Sequence, residues 1–125
     1  MLIQCMLIGL GGFAGTTARY LLSLPFSAGA MLFPFGTLLI NFLGSFLIGV
    51  VAQCATQAMV DPRLYLFFAV GVCGGFTTFS TFSLETFGLI NGGHAALGIL
   101  YAVCSVLLCL AGVWLGRAAV RVALG

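Results

Sequence analysis

The sequence predicts an all-α membrane protein, a single transmembrane domain over residues 1–125 with four transmembrane helices, the third of them broken. Three observations carry that reading. First, 62% of the residues are hydrophobic and only 5% are charged, against roughly 25% charged in a soluble domain. No soluble fold of 125 residues hides so much apolar surface. Second, the length holds four spans of roughly 20 residues each and leaves little for loops. Third, Gly71–Glu85 reads GVCGGFTTFSTFSLE and sits where a span belongs, yet it is too polar and too glycine-rich for an ordinary one. Gly71, Gly74 and Gly75 weaken a helix. Thr77, Thr78, Ser80, Thr81 and Ser83 then place five hydroxyls in seven residues, with Phe79 and Phe82 among them. A lipid-buried segment leaves backbone groups free only where protein or a cavity shelters them. This stretch therefore lines something other than lipid.

The same composition excludes several function classes. The net charge of +2 comes from four dispersed arginines, too few for a nucleic-acid footprint. Two acids and one histidine stand far apart, with no nucleophile–base pairing, so the sequence does not read as an enzyme. The five cysteines, at 5, 54, 73, 104 and 109, form no C-x-x-C and all lie in apolar runs. They read as small buried hydrophobes rather than as disulfide or metal partners. The N-terminal run has no Lys or Arg before it, unlike a cleaved signal peptide, and reads as a retained helix.

Span one is expected over residues 1–22. Gly9-x-Gly11-x-x-Ala14 imitates a dinucleotide fingerprint, but the first acid in the chain is Asp61, so the required acidic partner is missing. Gly11-x-x-x-Gly15 reads better as a face that lets another helix approach closely. Arg19 continues that stripe, and both an interfacial, snorkelling role and a buried structural or anion-attracting role suit it. Residues 23–35 read as a loop, broken by Pro25 and Pro34. Span two follows from Gly36 to Gln57, where Thr37, Asn41 and Ser45 recur every four residues and make one face polar. Asn41 reads either as an interhelical clasp or as a donor facing a pore, and the spacing favours the clasp. Asp61, Pro62 and Arg63 mark a short second loop. Span three runs from Leu64 to Leu89 with its unwinding expected at Gly74–Thr77. Asn91-Gly92-Gly93-His94 is a tight loop, with His94 read as a surface residue. Span four runs from Ala95 to Val120, with Tyr101, Ser105 and Cys109 on one face, continued by Gly112 and Gly116.

Arg63, Arg117 and Arg121 fall on one side of the membrane and Arg19 alone on the other, a bias small enough to let the chain insert both ways round. The polar inventory suits an anion path. Asn41 and the hydroxyls of Thr37, Ser45, Ser80, Thr81, Ser83, Tyr101 and Ser105 are donors without fixed positive charge. Phe79 and Phe82 are three residues apart and project from one helical face. A phenyl ring is positive at its edge, so edge-on rings hold a small hard anion weakly, as conduction requires. Carbonyls freed at the break suit a cation such as sodium. Two other readings stand beside the anion path. A small proton-coupled multidrug exporter would use Glu85 as its intramembrane acid. A non-transporting scaffold would need only the glycine faces.

With GGFAGTTARY at 11–20, GTLLINFLGSFLIG at 36–49 and GVCGGFTTFSTFSLE at 71–85, the chain resembles the fluoride channels of the CrcB/Fluc family over nearly its whole length. That resemblance implies an antiparallel, dual-topology homodimer in the bacterial inner membrane, with two pores that export fluoride passively. It implies a sodium ion at the dimer centre, held by the carbonyls of Gly74 and Thr77. It makes Phe79 and Phe82 the rings whose edges face the anion, one from each subunit in each pore, and Asn41 the pore-lining amide. Ser80 or Thr81, then Tyr101 and Ser105, become the hydroxyl track, which ends at the weaker donor Cys109. Glu85 matches the acid that follows the motif and Arg19 the arginine of span one, and the resemblance leaves both roles open.

Overall fold

The structure, a computed structural model, describes residues 1–27 and 31–125. Its described residues form helices and no strand. They are α1 (Leu2–Ser27), α2 (Phe35–Thr56), α3 (Pro62–Tyr65), a π-helical segment (Leu66–Cys73), α4 (Gly74–Phe76), α5 (Phe79–Asn91) and α6 (Ala95–Leu124). Among the described residues four stretches are long and apolar enough to cross a membrane, and the third, Pro62–Asn91, comprises everything from α3 to α5. The chain is thus a multi-pass membrane protein. α1 packs on the π segment and α4, while α2 packs along α6.

Small residues set both contacts. A Cβ on Gly71 would stand 2.9 Å from the Gly11 Cα, and one on Gly75 would stand 3.1 Å from the Gly12 Cα. At Gly15 a Cβ would reach the Phe76 nitrogen at 2.9 Å. The Gly11-x-x-x-Gly15 face therefore does what its spacing suggests. Between α2 and α6, Gly49, Gly112 and Gly116 allow backbone to approach backbone, and a Cβ on Gly112 would meet the Phe46 nitrogen at 3.3 Å. The buried Gln53 closes one end of this pair by accepting from Arg117 Nε at 3.1 Å.

The loops follow local chemistry. Asp61 caps α3, its carboxylate accepting the Arg63 N–H at 2.8 Å, with Pro62 at the first helical position. The turn after α5 closes through the His94 N–H, which donates to the Leu89 carbonyl at 2.9 Å, and through Gly93 at φ +84°.

Two expectations are corrected. The loop expected over 23–35 begins later: α1 continues to Ser27 with Pro25 inside it, and residues 28–30 lie outside the described residues. Pro25 stands in the last turn, so the one helical N–H it lacks breaks the ladder only near its end and leaves the preceding turns intact. The Ser23 hydroxyl also donates back to the Tyr20 carbonyl at 2.7 Å. The unwinding of span three comes later too. Gly74–Phe76 is helical, and the extended residues are Thr77 (φ −81°, ψ 156°) and Thr78 (φ −146°, ψ 110°). Glycine weakens a helix, but in lipid the backbone stays hydrogen-bonded until something else offers a partner. That partner first appears at Thr78.

Candidate functional site: the broken span and two polar cavities

Asn41 supplies the partner. Its Oδ1 accepts the Thr78 N–H at 2.8 Å, and its Nδ2 donates to the Thr78 carbonyl at 3.1 Å. One amide thus pairs both backbone groups of an extended residue, as a neighbouring strand would. The Thr78 hydroxyl then starts α5, accepting the Thr81 N–H at 3.2 Å and donating to Thr81 Oγ1 at 3.0 Å. It also lies 3.2 Å from Ser80 Oγ.

These bonds release two carbonyls. A continuous helix would give the Thr78 N–H to Gly74 and the Thr81 N–H to Thr77. Both donors are diverted, the first to Asn41 and the second to Thr78 Oγ1. The Thr77 hydroxyl turns back to the Cys73 carbonyl at 2.9 Å. Gly74 is exposed, and a Cβ there would meet nothing within 4 Å. The freed backbone therefore lies on an outer face in mid-span.

A second polar cluster lies further along α5. Both Glu85 oxygens accept hydroxyl hydrogen bonds, Oε1 from Thr37 at 2.7 Å and Oε2 from Tyr101 at 2.7 Å. These are short, charge-assisted contacts. They tie α2, α5 and α6 together at one point, and Tyr101 is fully buried there. The Tyr101 ring packs 5.3 Å from Phe82, which stands 5.4 Å from Phe79. The two phenylalanines differ in surroundings: Phe82 is half-buried, whereas Phe79 is 78% exposed.

Two cavities flank this cluster. One, of about 660 Å³, opens at the end of the molecule where α2 and α6 begin, and Thr37, Thr81, Glu85 and His94 are among its lining residues. The other, of about 330 Å³, is bounded by Asn41, Ser45, Thr78, Phe79, Phe82 and Ser105, and also by Gly74, Thr77 and Cys109. The Ser105 hydroxyl is buried and makes no hydrogen bond among the described residues.

Most of the residues singled out in the sequence thus fall on one track. Thr37, Glu85 and Tyr101 stand between the cavities, and Asn41, Phe82 and Ser105 stand in the second. Ser80 and Ser83 are exposed, and Ser83 donates to the Phe79 carbonyl at 2.8 Å. Arg19 lies off the track, half-buried on α1 and without an ion pair among the described residues. Sequence reasoning missed the part of Thr78, although a threonine just before a helical run is an N-cap signal. It also missed the pairing of Glu85 with Thr37 and Tyr101, which long-range packing alone sets.

Comparison with known proteins adds an independent finding. The family profile described as "CrcB-like protein, Camphor Resistance (CrcB)" matches residues 6–117. A protein of Ruminiclostridium cellulolyticum named fluoride-specific ion channel FluC is 47% identical over 118 residues, which cover 93% of this chain and 91% of that protein. A protein of Elusimicrobium minutum with the same name is 42% identical over 99% of this chain and 98% of its own. One from Methanocaldococcus jannaschii, again so named, is 41% identical over 94% of each.

Proposed function

The chain belongs to the CrcB family, and from that premise we propose that it is a fluoride-specific channel, which lets fluoride leave the cell down its electrochemical gradient. The observation that carries this reading is the buried donor track. It runs from the Thr37–Glu85–Tyr101 cluster through Thr81, Thr78 and Asn41 to the Ser105 hydroxyl, which makes no hydrogen bond among the described residues. Fluoride is small and hard, and hydroxyl and amide protons suit it. Asn41 spends one of its two amide protons on Thr78, which leaves the other for an anion. Ser105 offers a hydroxyl proton, and the ring edges of Phe79 and Phe82 offer weak positive potential beside it. Its lining includes no charged side chain, so an ion that enters can also leave.

The reading extends to assembly. Freed carbonyls at an exposed Gly74 cost several kcal/mol each in lipid unless protein covers them. A second copy, inserted the other way round, supplies that cover, and the small arginine bias of the chain permits both orientations. The Gly74 and Thr77 carbonyls, each deprived of its helical donor, also fit a sodium ion at such an interface. Sodium bound there would contribute a fixed positive charge to the dimer centre. The location we infer is a bacterial inner membrane, where an interior-negative potential drives anions outward by about 2.3 kcal/mol per charge per 100 mV.

The test is efflux from liposomes loaded with fluoride, without ATP or a proton gradient. Rapid fluoride efflux with no matching chloride efflux is expected. Efflux that needs a proton gradient, or none at all, would overturn the reading.

A further inference from the structure

We propose that His94 is an anion-capture group at the mouth of the channel, and that its proton sets how readily fluoride enters there. The proposal rests on the fluoride-channel reading above. The entrance is the cavity of about 660 Å³, and among its lining residues only Glu85 and His94 have ionisable side chains. Glu85 stands in the hydroxyl cluster leading inward, with both oxygens accepting hydrogen bonds. His94 is exposed and makes no capping bond to its own helix.

The helix ends do not decide the field of this cavity. α2 and α6 begin at this end, and α1 and α5 finish there. Two positive and two negative dipole ends offset one another. The elements around His94 contribute few other charges. α5 holds Glu85 alone, α2 holds none, α6 holds none before Arg117, and α1 holds Arg19 one turn before Ser23. With neutral His94 the lining side chains sum to one negative charge, which repels an arriving anion. With protonated His94 they sum to zero. Imidazole is the side chain that changes charge between about pH 5 and 8, so acidification removes the repulsion. The sign is fixed: capture rises as pH falls. Acid conditions are also those in which fluoride enters cells as neutral HF and becomes trapped, so the gain arrives when export is needed.

The experiment measures fluoride efflux from proteoliposomes at sub-saturating fluoride, with the same pH on both sides, less the leak of protein-free vesicles. At low ionic strength the wild-type rate at about pH 5.5 should exceed that at about pH 8 by roughly two- to threefold. At roughly 0.5 M inert salt the ratio should collapse toward one, because screening shortens the reach of a charge to a few ångströms. His94→Gln should abolish the ratio. His94→Lys should hold the higher rate at both pH values, a rescue that a merely structural histidine would not show. A pH ratio that persists in His94→Gln, or the lower rate at both pH values in His94→Lys, overturns the role of His94 while leaving the channel intact. Absence of fluoride efflux at either pH in the wild type overturns the channel reading, and this proposal with it.

Discussion

The amide of Asn41 gives one donor and one acceptor to a single residue of another span. Replacing it with leucine keeps the volume and strands both Thr78 backbone groups, at about 1–3 kcal/mol per group. Asn41→Leu should therefore melt well below the wild type in detergent and conduct fluoride poorly. An unchanged melting temperature would show that Thr78 finds its partners elsewhere. The clasp was legible in the sequence, because Asn41 stands in a polar stripe of an apolar helix. Its partner was not, because thirty-seven positions separate the two residues and only packing brings them together. Glu85 is the same case. Its place after the motif marks it as unusual, but Thr37 lies forty-eight positions away and Tyr101 sixteen.

At the scale of elements, the glycines divide into those whose faces are filled and those whose faces are open. Gly15 abuts Val72 and Phe76, whereas a Cβ on Gly9 would meet nothing within 4 Å. Gly15→Ala should cost about 1–3 kcal/mol through forced separation of α1 from the π segment and α4, and Gly9→Ala should cost almost nothing. Thermal melting of the two variants in detergent checks the contrast. The filled face was readable from the four-residue spacing of Gly11 and Gly15. The position of the break was harder. Glycine content pointed to Gly74–Thr77, but a helix in lipid ends where side chains replace its hydrogen bonds, and that happens at Thr77–Thr78. Pro25 misled in a similar way, since a proline in a last turn breaks the ladder only near its end and leaves the helix before it standing.

For the whole molecule, the open glycine at the break is the informative one. A Cβ added at Gly74 would meet nothing within 4 Å, so a larger residue there leaves the subunit intact. If the proposed dimer meets at this face, Gly74→Leu should keep its helical content and run as a monomer in detergent where the parent chain runs as a dimer, as read by light scattering. A variant that stays dimeric would place the interface elsewhere. Four spans were legible from composition, whereas the proposed pairing of copies rests on a face that a single chain leaves open. The clasp across spans has a last consequence, for the shape of the third span. As one continuous helix, the 30-residue stretch Pro62–Asn91 would measure about 45 Å, longer than the roughly 30 Å hydrocarbon core. Lipid alone offers no partner for the backbone of Thr78, so without Asn41 a continuous helix is the form that keeps that backbone bonded. The extended turn at Thr77–Thr78 therefore depends on Asn41 docked beside it, which ties the break in this span to the packing of its neighbour.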